Sequence, residues 1–224
     1  GRTLLTLSLT SKYALFKKGF GPYVSDIIRL PAPNMYRKPV EFTDEAYVNY
    51  CIQQFETAMI AQIDPDSVAA IIIEPVQGEG GFIPMPKAFL QKLRAVADAH
   101  GIVLIFDEIQ CGASRTGKLF ACEHFDVVPD IICMAKSIGA GMPISAITGR
   151  ATIIDAPHLG GVGGTYGGNP LACVAAIEAM KILSSTEFLA RVNHVGNLIA
   201  STLNVWKTKY QFIQTNWELP FSKH

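Results

Sequence analysis

"SVAAIIIEPVQGEGGFIPMPKAFLQKLRAVADAHGIVLIFDE", residues 67–108, reads as a strand, a helix and a second strand in succession. Its two flanks, SVAAIIIEP (67–75) and GIVLIFDE (101–108), are short apolar runs rich in β-branched residues, as expected of parallel strands buried on both faces. Between them, PKAFLQKLRAVADAHG places Phe89, Leu90, Leu93, Val96 and Ala97 at helical spacing. Pro86 stands near the start of that helix and Gly101 just past its end, where each is tolerated best. Working outward, further strands are expected at IICMA (131–135) and ISAITG (144–149). A helix is expected over NPLACVAAIEAMKIL, where Asn169 can cap and Pro170 suits the first turn. The fold class is α/β, with an open, mostly parallel sheet and flanking helices.

Composition narrows the function. A chain of 224 residues, 49% hydrophobic and 17% charged, can bury a large core and fits one large domain, or one domain plus part of another. Basic and acidic residues balance at 19 each without long runs of one sign, which argues against a nucleic-acid groove or a polybasic membrane surface. The longest apolar runs, such as VAAIII at 68–73, are too short to span a bilayer. Cys51, Cys111, Cys122, Cys133 and Cys173 are odd in number and never paired as C-x-x-C, the pattern of reduced thiols rather than of disulfides or a zinc site. The expected partner is a small molecule or another protein.

In open α/β sheets, ligands sit beyond the carboxyl ends of the strands. Three candidates for chemistry fall there: Glu74 with PVQGEGG, Asp107 with EIQ, and Lys136 with SIGAG. Taken singly, each has an ordinary explanation as a cap or a solvated side chain. Together they suggest pyridoxal phosphate chemistry, in which a lysine amine forms a Schiff base with the cofactor aldehyde and an acid pairs with the pyridinium nitrogen. The strand would deliver the amine, and the small residues after Lys136 would leave room for the cofactor. A competing reading, the G-x-x-x-x-G-K spacing of GASRTGKL (112–119), is weakened by Leu119, which stands where Ser or Thr should hold magnesium. His100, His124, His158, His194 and His224 show no metal-ligand spacing and read as surface or cap residues.

IIIEPVQGEGG, LIFDEIQCGASRTGKLFACEHF, PDIICMAKSIGAGMPISAITGR and GGVGGTYGGNPLACVAAIEAMKIL resemble, in order and spacing, the successive blocks of class III aminotransferases of fold type I. The 4-aminobutyrate (GABA) aminotransferase group is the most similar, from residue 1 to about 200. The resemblance implies that Lys136 is the Schiff-base lysine and Asp107 the pyridinium partner. Ile109 and Gln110 would meet the cofactor ring and its phenolic oxygen. Thr165 would bind phosphate, in this family usually the phosphate held by the neighbouring subunit, which implies a homodimer. Arg2 falls where the group keeps the arginine that grips the substrate carboxylate; arginine suits that role because its planar fork meets both oxygens. Glu79 matches the acid that pairs with a second, downstream arginine, and Glu74 should line the same pocket. The implied reaction is transamination of 4-aminobutyrate or a similar ω-amino acid with 2-oxoglutarate, giving an aldehyde and glutamate. The alternatives are another ω-amino acid or diamine aminotransferase of the class, or a non-catalytic fragment.

Family members are nearly twice as long, so residues 1–183 are expected to be a partial cofactor-binding large domain. Residues 184–224 would be a linker helix and a truncated or aberrant start of the C-terminal domain, since KTKYQFIQTNWELPFSKH no longer follows the family. Ala113 and Ser114 also depart from it, standing where an aromatic residue and Gly are frequent. A chain lacking the upstream phosphate loop and the second arginine is expected to be sticky in isolation, with apolar faces uncovered at roughly 25 cal/mol per Å². Cytoplasm is the default location, with a mitochondrial origin left open by a sequence that opens without Met.

Overall fold

The computed structural model describes residues 1–211 and 213. Helix α1 (Leu4–Leu9) opens an N-terminal segment fastened by Lys17, which is buried, donates to the Ser8 carbonyl at 3.1 Å and lies 4.5 Å from the centroid of the Tyr23 ring. Helix α2 (Asp44–Ala61) begins where the Thr43 hydroxyl accepts the Ala46 N–H, and Asp44 and Glu45 complement its positive end. Strand β1 (Ala70–Ile73) follows, then a small antiparallel ribbon of β2 (Val76–Gln77) and β3 (Ile83–Pro84). Helix α3 (Lys87–His100) starts after Pro86 and stops at Gly101, whose φ of 65° is the left-handed cap that glycine accepts without strain. The remaining elements are β4 (Val103–Asp107), β5 (Ile131–Met134), β6 (Ala146–Gly149), α4 (Ala151–Ile154), α5 (Pro170–Leu183) and α6 (Thr186–Lys209). As the sequence predicts, the Asn169 side chain caps α5, accepting from the Leu171 and Ala172 N–H groups.

The main sheet runs β1-β4-β5-β6. β1 pairs in parallel with β4, Ile73 opposite Phe106, and β4 with β5, Asp107 opposite Cys133. β6 closes the row antiparallel to β5. Phe89, Leu90, Leu93 and Ala97 of α3 pack in one core with Phe55 and Met59 of α2 and with Leu104 and Phe106 of β4. Phe55 meets Phe89 edge-on, their centroids 6.3 Å apart. Fully burying a side chain of this size contributes about 1.5–3 kcal/mol, so this cluster supplies much of the stabilisation of the β1–α3–β4 unit.

Burial on both faces, expected of these strands, is found on one. Leu104 and Phe106 are fully buried, whereas Val103, Ile105 and Asp107, on the other face of β4, are half-buried. Ile72, opposite Ile105, stays 42% exposed, because α2 and α3 both pack on the Leu104 side of the sheet. Asp130, just before β5, ties the layers together. It is 5% exposed and accepts from Arg94 of α3, from Arg150 and from the Leu104 N–H, each at 2.8 Å. His124 departs from the surface role expected of it: it is half-buried, with its Nε2 3.1 Å from both the carbonyl and the hydroxyl of Thr116, and burial pushes its imidazole down. α5 and α6 are separated by Ser184 and Ser185. Most of the divergent tail, including residues 214–224, lies outside the described residues.

Candidate active site

Register places the strand-end groups. Asp107 is the last residue of β4, and its Oδ1 accepts the Ile109 N–H at 3.0 Å, which fixes both the carboxylate and the turn that carries Ile109 and Gln110. Lys136 follows the partner strand β5, two residues past Met134, and opens a short 3-10 turn, Lys136–Gly139. Its φ of 53° lies in the left-handed region, uncommon for a residue with a side chain and frequent at functional sites. α5 packs against this turn. Glu74 directly follows β1, and its Oε1 accepts the Gly78 N–H at 3.1 Å. Burial pushes the Glu74 carboxyl up; the Gly78 N–H pulls it back, Asp107 adds to the rise and Lys136 opposes it. One carboxyl thus senses both of the other strand-end groups.

Gln110 packs against the loop after β1. A Cβ on Gly78 would stand 1.4 Å from the Gln110 Oε1, so glycine there lets the two loops interdigitate. That amide oxygen is buried and has no hydrogen-bond partner. A buried orphan acceptor is uncommon and marks a place where a further donor belongs.

Of the other expected residues, Glu79 also acts on the Glu74 carboxyl, adding to its rise, and each has its own local setting. The Arg2 guanidinium stacks over the Phe16 ring, 4.1 Å from its centroid. Glu79 is paired with Lys12, Oε2 to Nζ 3.6 Å, and Lys12 also donates to the Glu79 carbonyl. Thr165 sits in a tract, residues 155–171, that is exposed at every position.

Glu108, for which the sequence alone suggested no role, is 2% exposed. Its carboxylate accepts the N–H groups of Ala121 at 2.6 Å and Cys122 at 2.9 Å, tying together the two ends of the loop after β4. Burial pushes this carboxyl up and the two N–H groups pull it back. The available signal was the pair of adjacent acids, since alternation along a strand sends neighbours to opposite faces: Asp107 to the site, Glu108 to the core.

The sheet, parallel across β1, β4 and β5, carries two carboxyls and a lysine at the ends of those strands, where α/β sheets bind ligands, and comparison with known proteins makes the class specific. Residues 1–215 match the family model for aminotransferase class III, and the chain belongs to that family. It is 45% identical over 213 residues to a probable 4-aminobutyrate aminotransferase of Bacillus subtilis, covering 95% of this chain and 49% of that protein. It is 43% identical over 213 residues to a 5-aminovalerate aminotransferase of Pseudomonas aeruginosa, covering 95% of this chain and 48% of the relative. Among solved structures, an amine transaminase of an uncultivated Pseudomonas species in its PLP-bound form superposes with a TM-score of 0.85 at 31% identity, over 94% of this chain and 49% of that one. An (S)-enantioselective omega-transaminase from Thermomicrobium roseum gives 0.84 at 32% identity, over 93% and 47%. The chain therefore spans about half the length of the relatives it matches.

Proposed function

We propose that this chain carries the catalytic lysine and the ring-binding carboxylate of a pyridoxal-phosphate aminotransferase that moves the amino group of 4-aminobutyrate, or a similar ω-amino acid, to 2-oxoglutarate. The observation that supports it most is that Asp107 ends β4 and Lys136 follows the paired strand β5, with the Glu74 carboxyl influenced by both. The residues present fit the cofactor. Asp107 offers a carboxylate for a pyridinium N–H, and the orphaned amide of Gln110, beside Ile109, awaits a polar partner. When bound, pyridoxal phosphate supplies an aldehyde that condenses with amines and a ring that takes up the electrons released at the donor carbon. Asp107 would hold the ring nitrogen protonated. Lys136 would bind the aldehyde carbon and carry the proton between donor carbon and cofactor at its Nζ. Glu74 would face the substrate side of the pocket. Thr165 would reach the phosphate bound to a second copy in a homodimer, in keeping with its place on an exposed tract. Arg2 would meet the substrate carboxylate after leaving Phe16, and Glu79, on leaving Lys12, would pair with a second, downstream arginine.

The donor is the finer part of the proposal. Similarity to a 5-aminovalerate enzyme nearly equal to that for a 4-aminobutyrate enzyme keeps the longer ω-amino acid as a second reading. Adding pyridoxal phosphate to the purified chain, removing the excess, reducing with borohydride and mapping the peptides tests the lysine: the label is expected on Lys136 and is lost in Lys136→Ala. A label on another lysine, or transamination that survives the substitution, overturns the assignment. Rates over a panel of 4-aminobutyrate, 5-aminovalerate, β-alanine and diamines choose the donor, and preference for a diamine would overturn the carboxylate-bearing class.

A further inference from the structure

The stretch GASRTGKL, residues 112–119, has no part in the chemistry proposed above, yet it holds unusual backbone. Ala113 and Ser114 have φ of 51° and 68°, left-handed values that residues with side chains keep only where their surroundings impose them. It leads into a single 3-10 turn, Ala121–His124, rather than the long helix whose N-terminus a nucleotide phosphate would need. What pins it is the C-terminal helical pair. The buried Ser114 hydroxyl donates to the Leu183 carbonyl at the end of α5, at 2.6 Å, and Asn193 of α6 donates to the Gly117 carbonyl at 3.2 Å. Between these anchors Arg115 projects outward. Its Nε and Nη2 both donate to the Ser137 hydroxyl, at 3.1 and 2.9 Å.

Ser137 is the residue after Lys136. The turn it belongs to is bracketed by two left-handed residues, Lys136 at 53° and Ala140 at 48°. Two of its backbone bonds are long, 3.4 Å from Ile138 to Ala135 and 3.3 Å from Ala140 to Ser137, and the short one, 2.8 Å from Met142 to Gly139, closes the far end of the turn, so the Lys136 end is weakly held by the backbone alone. Among the described residues, the Arg115 guanidinium is the side chain that hydrogen-bonds to this turn from elsewhere in the chain. We propose that Arg115 is a positioning residue which, acting through the Ser137 hydroxyl, holds the left-handed turn that presents the Lys136 amine to the site. This rests on the reading of Lys136 as the cofactor-bonding lysine, and it gives the 112–119 stretch a purpose, since α5 and α6 fix the loop, the loop fixes Arg115, and Arg115 fixes the lysine.

The test uses the 224-residue chain as wild type, Arg115→Ala, Ser137→Ala, the double variant and Ser137→Thr, which keeps the hydroxyl. The first readout needs no cofactor: amide hydrogen exchange of the peptide spanning residues 135–142. Losing one hydrogen bond of this kind is expected to speed its exchange about fivefold in each alanine variant. The double variant should be no faster than either single one, Ser137→Thr should stay near wild type, and the peptide over α3 should not change. The second readout is the rate at which pyridoxal phosphate followed by borohydride labels Lys136, expected to fall in both alanine variants and to hold in Ser137→Thr. Unchanged exchange at 135–142, additive effects in the double variant, or an equal rise in the α3 peptide overturns the proposal. Should Arg115→Ala not fold, the contrast of Ser137→Ala with Ser137→Thr decides. If wild type takes no label at Lys136, the reading of the site fails while the exchange data still judge the clamp.

Discussion

Replacing Glu108 by glutamine exchanges one carboxylate oxygen for an NH2 group inside the turn beyond β4. Both oxygens are engaged, one by the Ala121 N–H at 2.6 Å and the other by the Cys122 N–H at 2.9 Å, at a residue 2% exposed. Glutamine offers a single acceptor, so one N–H is left facing another donor. A hydrogen bond to a charged acceptor is worth about 1.5–3 kcal/mol, and a stranded buried donor costs about 1–3 kcal/mol. The amide is easier to desolvate than the carboxylate, which burial already pushes towards its protonated form, so these terms partly offset. The net loss is expected at about 2–3 kcal/mol, a large part of the roughly 5–15 kcal/mol that holds a domain together. In a chain of this size that lowers the thermal midpoint by about 5–10 °C. Scanning by circular dichroism would follow the loss, with Glu123→Gln as the comparison. That exposed carboxylate caps only the Phe120 N–H, at 2.7 Å, and its substitution should cost a few degrees at most. A midpoint for Glu108→Gln equal to wild type would refute the reasoning, since the two ends of the loop, at Glu108 and Ala121, would then be held together by something other than this carboxylate.

Three further outcomes follow from the same structure. Gly78→Ala sets a Cβ against the Gln110 amide and is expected to destabilise by about 1–3 kcal/mol, most of it recovered when Gln110→Ala is added; urea unfolding without that recovery would remove the collision as the cause. Burial alone would raise the Asp130 carboxyl, but Arg150, the Leu104 N–H and Arg94 together hold it below the usual range. Its contribution is therefore present above the unfolded value of about 3.9 and lost as pH falls through the folded one, so Asp130→Asn should flatten the acid limb of stability, measured by urea midpoints from about pH 2 to pH 5. With Leu159, Tyr166, Leu171 and Val174 exposed at 102%, 91%, 72% and 61%, the isolated chain is expected to self-associate in light scattering, and a monodisperse, cooperatively unfolding monomer would count against that.

Much of the fold is written locally, where single residues punctuate it. Pro86 and Gly101 bound α3 within a residue of expectation, and Asn169 with Pro170 starts α5. The four strands of the main sheet fall inside the apolar runs read as strands. Helix α2 went unread although Thr43, Asp44 and Glu45 signal its start, because its apolar positions bury only Phe55, Ala58 and Met59 and give a faint stripe. Lys136 and Asp107 stand out in the sequence as candidates because strand ends are where α/β sheets bind ligands. The Glu108 bridge and the Arg115–Ser137 contact were not, since each joins residues 13 to 22 apart through a loop whose path no local rule dictates. Departures from pattern at Ala113 and Ser114 did leave a trace. Both fall at left-handed positions, where glycine would be easier, and Ser114 supplies a hydroxyl that reaches α5.

The order of the sheet, β1-β4-β5-β6, is also the order in which its strands leave the ribosome. Among the described residues, each new strand docks on the open edge left by the one before, and none is inserted between two that are already paired. Such a sheet can accrete during synthesis, adding each strand at one growing edge. The chain lengths between paired strands are modest, so the entropy lost in closing each crossover stays small. The antiparallel turn into β6 then reverses direction immediately after the segment that holds Lys136. The lysine turn would be the last part of the sheet to be trapped in place, once both strands beside it have formed.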